Sequence, residues 1–299
     1  MESPAVRKRL KIALSLVILV MGLEVAGGIY AHSLALLSDA AHMLTDSFAL
    51  SLSLMALTIA AQPSDHTKTF GYHRLEILAA LANGLLLLLM AIGILWEAYR
   101  RFTSPQEVHT EVVIGVAAAG LLTNLAVLYF LKDPVHNSHQ HDLNLKGAFY
   151  HVIGDSLASL AVIIGGIGMW FTQWYALDSI IAAGVALILI WGAQSIIRDS
   201  FHILLEGVPK GISLQEVEKE LTSIPEVKDI HELHVWSICS NIYALSTHAL
   251  VTDQKVNQME SVLQKIENLL REKFNITHST VQFESTPCPV ADLACNMKH

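Results

Sequence analysis

Six long apolar stretches constrain the fold of this 299-residue chain more than any other feature of its sequence. A transmembrane helix needs about 20 consecutive, mostly apolar residues, and each stretch is close to that length. The stretches are residues 12–31, 38–61, 77–96, 112–131, 152–171 and 179–197. Residues 34–37 provide a tight turn between the first two stretches. The pattern predicts a bundle of six transmembrane helices that begins with a helical hairpin.

The basic residues between these stretches predict how the bundle is oriented. Short cytoplasmic loops carry an excess of Lys and Arg, and here the excess lies on one side. That side carries Arg7, Lys8, Arg9, Lys11, Lys68, Arg74, Lys132 and Lys146, and the opposite side carries Arg100 and Arg101. We therefore expect both termini in the cytoplasm.

Beyond residue 198 the chain has no further membrane-length run and has the pattern of a small soluble domain. The periodicity predicts a helix over 213–224, strands over 227–239 and 242–252, a helix over 256–274 and a strand over 279–284. Ser213 and Glu216 have the spacing of a capping box at the start of the first helix. The order α-β-β-α-β indicates a two-layer α+β unit. We expect a membrane domain over 1–205, this second domain over 206–286 and a tail over 287–299.

Composition excludes several classes of protein. A net charge of −8 argues against nucleic-acid binding. Three cysteines are too few for a disulfide scaffold of this length. The sequence contains no His-Glu-x-x-His motif, which a membrane metalloprotease of the common kind would carry. The absence of this motif argues against a hydrolytic role, and we do not expect an enzyme.

Two of the apolar stretches carry the same ionisable pair. His42 and Asp46 lie in the second stretch, and His151 and Asp155 lie at the fifth. Residues four apart share one face of a helix, so two such helices can offer two imidazoles and two carboxylates to one Zn²⁺ ion. The alternative is that these side chains form hydrogen bonds between helices. Two copies in nearly uncharged spans favour the metal site, because ionisable groups are costly in lipid.

The other polar residues of the spans, Glu24, Asn83, Asn124 and Asp178, are interpreted as helix-packing residues.

Four segments, SLALLSDAAHMLTDSFAL, KTFGYHRLEILAAL, AFYHVIGDSLASLAVII and IHELHVWSI, resemble the cation diffusion facilitator family. The likeness covers nearly the whole chain and is strongest to bacterial cobalt-zinc-cadmium resistance efflux proteins. It implies a homodimer in the inner membrane, embedded in the lipid bilayer, that exports Zn²⁺ in exchange for protons. It places the transport site at His42, Asp46, His151 and Asp155, and His42 favours zinc, with Co²⁺ and Cd²⁺ as further candidates. It also implies a ferredoxin-like fold for the cytoplasmic domain.

By the same resemblance, the cytoplasmic domain binds regulatory zinc. His231, His248 and Glu284 match the family's ligands best, and strand alternation supports His248 and Glu284, which lie opposite the apolar faces of their strands. In a regular strand His231 and His234 would point to opposite faces. A second set would be His234, His278 and Cys288. The alternative for both sets is a polar sheet surface.

Several further features of the sequence have more than one interpretation. The loop histidines His136, His139 and His141 suit weak metal delivery or a plain solvated loop, and the role of Cys295 is undecided. Asp65, His66 and His73 lie where some relatives bind metal, but their spacing differs. The resemblance pairs Arg74 with Glu206 in a charge interlock of the dimer; a lipid-headgroup contact is the alternative for Arg74. A zinc sensor that does not transport remains the rival function.

Overall fold

The computed structural model describes residues 4–60, 62–137, 143–239, 242–252 and 256–286, and it describes side chains from residue 18 onward except those of 50, 53, 57, 129–151 and 256–258. Six long helices occupy the first two thirds of these ranges. They are α1 (Pro4–Ala31), α2 (Leu34–Ala60), α3 (Arg74–Thr103), α4 (Thr110–Asn137), α5 (Leu143–Thr172) and α6 (Ala176–Leu204).

Among the described residues, five of these helices, α2 to α6, are long and apolar enough to cross a membrane. The described side chains of α1 form a shorter apolar stretch, Ile18–Ala31. Five of the six predicted spans are therefore confirmed as helices long and apolar enough to cross a membrane, and the first stays a prediction.

The turn between α1 and α2 differs from the predicted one. Residues 34–37 belong to α2, and the connection consists of His32 and Ser33. Helix α2 begins early because Ser33 Oγ accepts a hydrogen bond from the Leu36 amide at 3.3 Å, as an N-cap serine does. The prediction of a tight turn at 34–37 was wrong because the local apolar pattern does not reveal this cap.

The chain divides into two compact units, residues 1–50 with 83–195 and residues 51–82 with 196–299. In the first unit, α4 packs against both α1 and α5. Buried side chains of α4 and α5, including Val113, Ala117, Val162 and Met169, form the shared core. A Cβ at Gly166 would lie 2.8 Å from Cγ1 of Ile114, so glycine is required where α5 approaches α4 closely.

The second unit contains the C-terminal domain, with helices α7 (Leu214–Thr222) and α8 (Val256–Phe274) and strands β1 (Val227–Cys239), β2 (Ile242–Val251) and β3 (Ile276–Glu284). The predicted element order is confirmed. The last strand begins three residues earlier than predicted, and α7 is shorter at its end. Ser213 precedes α7, but its hydroxyl donates to Gln215 Oε1 at 2.9 Å and makes no cap bond. The predicted capping box was wrong because a neighbouring side chain competes for this hydroxyl.

The sheet has the order β1-β2-β3, with β1 antiparallel and β3 parallel to β2. Helix α8 supplies the crossover that a parallel pair requires. Apolar side chains of α7 and α8, such as Leu221 and Ile266, pack with Leu233 and Leu245 of the sheet in one core. A ferredoxin-like fold has four strands in the order β-α-β-β-α-β. The described residues form three strands, so the ferredoxin-like assignment stays a prediction.

Candidate metal centres

Helices α2 and α5 bring three of the four predicted transport-site residues together. Nε2 of His42 lies 3.5 Å from Oδ2 of Asp46 on the same helix. It also lies 3.7 Å from Oδ1 of Asp155 on α5. The three side chains are partly buried, with exposed fractions of 21–31%. His151 lies one turn before Asp155 on α5, and its side chain is outside the described residues.

Asp178, on the first turn of α6, holds the start of the helix that carries His42 and Asp46. Its carboxylate accepts hydrogen bonds from the Ser33 hydroxyl at 2.5 Å and from the Leu34 and Ala35 amides at 2.5 and 3.3 Å. Asp178 is 2% exposed. The first amides of a helix have no partner within the helix, and a carboxylate there also interacts favourably with the helix dipole. Sequence reasoning placed Asp178 among packing residues but did not identify these contacts.

A second buried acid, Glu24 on α1, lies against Gly120 of α4. A Cβ at Gly120 would lie 2.8 Å from Oε1 of Glu24 and 3.6 Å from Oγ of Ser159. A side chain at position 120 would therefore displace the carboxylate of Glu24. This agrees with its interpretation as a packing residue of the bundle.

The C-terminal domain brings His231, His248 and Glu284 together on three strands. One ligand atom from each lies within 4.8 Å of the others. Nε2 of His231 is 3.3 Å from Oε2 of Glu284, and Nδ1 of His248 is 2.9 Å from Oε1 of the same carboxylate. Within the described part of the chain, no other group of three such residues has this geometry.

The chemistry of this cluster fits a metal ion. His231 is 2% exposed, and neither of its ring nitrogens makes a hydrogen bond. Buried polar atoms are almost always bonded, and an exception needs an explanation such as an ion. Desolvation raises the pKa of Glu284, but the Gln282 amide and the two imidazoles outweigh it and leave that pKa below its ordinary value. The carboxylate is therefore available in the ionised form that a metal requires.

A β-bulge on β1 changes the predicted orientation of two histidines. His231 pairs with His248 and His234 pairs with Ser246, so β1 advances three residues while β2 advances two. Because His248 and Ser246 share a face of β2, His231 and His234 lie on the same face. The expectation of opposite faces was wrong, since it assumed a regular strand. The bulge also brings Glu232 to His248, a contact that no sequence signal indicated.

The second predicted set is not assembled by the described residues. His234 lines a cavity of about 400 Å³ together with Glu206 and Trp236. His278 contacts the ring of Phe70 edge-on, with centroids 6.5 Å apart. Cys288 and Cys295 lie outside the described residues, as do the side chains of His136, His139 and His141.

In the loop between α2 and α3, Asp65 forms hydrogen bonds with other residues of the same loop. Asp65 Oδ1 accepts hydrogen bonds from Thr67 N, Thr67 Oγ1 and Lys68 N at 2.6–2.8 Å, and Oδ2 accepts one from Tyr72 at 3.0 Å. These bonds, led by the Thr67 hydroxyl, hold the pKa of Asp65 far below its usual range. Both oxygens are therefore engaged in loop structure rather than directed at His66 or His73.

Arg74 and Glu206 form an ion pair within the chain. Nη2 of Arg74 lies 2.9 Å from Oε1 of Glu206, and the side chains are 43% and 59% exposed. Exposed pairs of this kind contribute about 0–1 kcal/mol. The pair matches the predicted partners, and its role in a dimer stays a prediction.

Comparison with known proteins identifies the family. Residues 10–205 match the cation efflux transmembrane domain, and residues 209–286 match the cation efflux protein cytoplasmic domain. The chain is 44% identical over 287 residues to the metal cation efflux system protein CzcD of Cupriavidus metallidurans, covering 96% of this chain and 89% of that protein.

Two further relatives and one solved structure are similar to the chain. It is 40% identical to the cadmium, cobalt and zinc/H(+)-K(+) antiporter of Bacillus subtilis, over 89% of this chain and 85% of that protein. It is 35% identical to the zinc transporter ZitB of Escherichia coli, over 92% of this chain and 87% of that protein. The metal-bound C-terminal domain of the CzcD transporter is 41% identical and covers 24% of this chain and 99% of that chain, with a TM-score of 0.23. The chain therefore belongs to the cation efflux, or cation diffusion facilitator, family of multi-pass membrane transporters.

Proposed function

We propose that this protein exports Zn²⁺ from the cytoplasm in exchange for protons, with Co²⁺ and Cd²⁺ as further cargo, through a site made of His42, Asp46, His151 and Asp155. The observation that supports this most is the approach of Asp155 on α5 to His42 on α2. A relative 40% identical to the chain is named a cadmium, cobalt and zinc/H(+)-K(+) antiporter.

The chemistry of these four residues explains how one site can serve both ions. Imidazole and carboxylate bind a metal only in their deprotonated forms, so a bound cation displaces protons. Two nitrogen and two oxygen ligands form a tetrahedral set that suits Zn²⁺. When the site faces the outside, protons displace the metal, and the protonated site returns. Histidine titrates near neutral pH, which makes it responsive to physiological proton gradients.

The test is zinc flux into proteoliposomes under an imposed pH gradient. A fluorescent zinc indicator and a pH indicator report both ions at once. Asp155→Asn, which keeps the size of the side chain but removes its charge, is expected to abolish both signals. Glu111→Gln is the matched control, because Glu111 is an exposed carboxylate at the start of α4.

The outcomes separate the proposals. Zinc and proton movement in wild type and in Glu111→Gln, with neither in Asp155→Asn, supports the antiporter. Near-normal flux in Asp155→Asn removes that residue from the site. If wild-type protein binds zinc but moves none under any gradient, the four residues form a static site, and the zinc sensor becomes the better hypothesis.

We also propose that the C-terminal domain binds regulatory zinc through His231, His248 and Glu284. The buried, unbonded ring nitrogens of His231 support this set. His234, His278 and Cys288 form a weaker second set, because the described residues do not bring them together. His248→Ala is expected to lower the zinc stoichiometry without abolishing flux at high zinc.

The architecture that accompanies this function is a homodimer in the inner membrane with both termini in the cytoplasm. Helix α1 is proposed as the first of six spans in a transport domain over residues 1–205. The domain over 206–286 is proposed to be ferredoxin-like and to carry the dimer contact, with 287–299 as a tail. The Arg74–Glu206 pair is proposed to support the cytoplasmic side of the dimer. We propose no enzymatic activity and no nucleic-acid partner.

A further inference from the structure

The β-bulge on β1 places a glutamate where a regular strand would not. In a regular strand, residue 232 would share a face with Ile230, which is buried in the core of the C-terminal domain. The extra residue between His231 and His234 gives that inward position to Leu233, which is 2% exposed. Bulges commonly re-aim a side chain in this way. Glu232 therefore reaches the polar face of the sheet that carries His231 and His248.

Glu232 meets His248 on the side of the ring that is turned away from Glu284. Oε2 of Glu232 lies 3.6 Å from Nε2 of His248, whereas Oε1 of Glu284 lies 2.9 Å from Nδ1 of the same ring. The imidazole is thus held between two carboxylates. Nδ1 of His248 and Nε2 of His231 both face Glu284. An ion bound among these three residues would leave Nε2 of His248 to carry the ring proton toward Glu232.

We propose that Glu232 is a positioning residue of the C-terminal metal centre, which accepts the Nε2–H of His248 and so directs the Nδ1 lone pair at the metal. This inference rests on the proposed metal centre of His231, His248 and Glu284. Metal-binding histidines usually donate their second ring N–H to a carboxylate or carbonyl, which fixes the tautomer and raises ligand basicity. Glu232 is not itself a ligand in this arrangement, because it lies across the ring from the carboxylate of Glu284.

Glu232 must move slightly closer to His248 to accept this hydrogen bond. A separation of 3.6 Å is an ion-pair contact and exceeds the range of a hydrogen bond by about half an ångström. The side chain of Glu232 is 38% exposed, so it has room to move by that amount. Binding of a cation at Nδ1 polarises the ring and strengthens its other N–H as a donor, which favours the closure.

The backbone at Glu232 supplies an independent observation. Its φ is +47°, in the left-handed region that residues other than glycine seldom adopt. Such conformations persist where surrounding structure enforces them, and they concentrate at functional sites. Glycine adopts this conformation without a steric penalty. Glu232→Gly removes the carboxylate without straining the backbone, so it is expected to weaken metal binding without lowering the stability of the domain.

The experiment measures Zn²⁺ affinity of the full-length protein in detergent by competition with a chromophoric chelator. All variants carry Asp46→Ala and Asp155→Ala, so that the proposed membrane site does not contribute. Glu232→Ala and Glu232→Gly are expected to weaken zinc binding about ten- to a hundredfold. Glu232→Gln is expected to recover part of the affinity, since its amide oxygen can accept the same N–H. The matched control is Glu272→Ala, an exposed glutamate on α8.

The unfolding midpoint of the metal-free protein separates positioning from a structural role. We expect it to be unchanged in Glu232→Ala and unchanged or raised in Glu232→Gly. A lower midpoint in both variants, in step with the lost affinity, would make Glu232 a structural residue and overturn the proposal. Unchanged zinc affinity in both would also overturn it. His248→Ala tests the underlying centre: if zinc binding survives this change, the centre itself is refuted, whereas its loss leaves Glu232 to be judged by its own variants.

Discussion

Asp178→Ala should destabilise the membrane domain by removing the acceptor at the start of α2. The carboxylate is buried on α6 and receives hydrogen bonds from the Ser33 hydroxyl and from the Leu34 and Ala35 amides. Alanine leaves these donors in an apolar environment. The hydroxyl can rotate toward another acceptor, but the two amides are fixed in the first turn of the helix.

The magnitude follows from the number of orphaned donors. Each buried donor left without an acceptor costs about 1–3 kcal/mol. Two amides therefore give an expected loss of about 2–6 kcal/mol for Asp178→Ala. Asp178→Asn keeps one carbonyl oxygen as an acceptor but loses the charge. Because hydrogen bonds to charged groups are about twice as strong as neutral ones, we expect a loss of about 1–2 kcal/mol for the asparagine variant.

The assay is unfolding of the purified protein in detergent, followed by zinc flux of the same variants. The matched control is Asp199→Ala, which removes an exposed aspartate of α6 that pairs with Lys210; a surface pair contributes about 0–1 kcal/mol. Flux should fall with Asp178→Ala as well, because α2 carries His42 and Asp46. A stability within about 0.5 kcal/mol of wild type, the range of ordinary surface substitutions, would refute the reasoning.

Three further predictions concern helix packing, the loop between α2 and α3, and the Arg74–Glu206 pair. Gly120→Ala should cost about 1–3 kcal/mol by overpacking, because its Cβ would lie 2.8 Å from Oε1 of Glu24; Gly115→Ala on the same helix meets nothing within 4 Å and should be neutral in thermal unfolding. Asp65→Ala should loosen residues 62–73 at neutral pH, seen as faster limited proteolysis, and zinc stoichiometry should not change. Because the pKa of Asp65 is lower in the folded loop than in the unfolded chain, its ionised carboxylate stabilises the loop above the unfolded pKa. This stabilisation is lost progressively as the pH falls below about 4. A wild-type loop that resists proteolysis equally well at pH 3 and at pH 7 would contradict this. Arg74→Ala should change the free energy of unfolding by less than about 1 kcal/mol, because its pair with Glu206 is exposed; a larger loss in chemical denaturation would contradict this.

Local sequence patterns were enough to predict most of the helices and strands and the ligand chemistry of the proposed membrane site. Long apolar runs specify helices in lipid because every backbone group must find its partner within the segment. The four-residue spacing of His42 and Asp46 places both on one helix face regardless of what packs against it. Strand alternation likewise put His248 and Glu284 opposite the apolar faces of their strands. These features depend only on local periodicity, which is the same whatever packs against the helix or strand.

Contacts between residues that are distant along the chain became visible only in the tertiary structure. No local pattern could show that Asp178 accepts hydrogen bonds from the first amides of α2, since Leu34 and Asp178 are 144 residues apart. The bulge on β1 is set by the pairing of His231 with His248 and of His234 with Ser246. It reverses the expected face of a histidine and introduces Glu232, because a shift of one residue moves a side chain to the other face of a sheet. Strand register and long-range helix capping depend on the free energy of the whole assembled core. A local segment contributes only part of that free energy, so its sequence alone does not specify them.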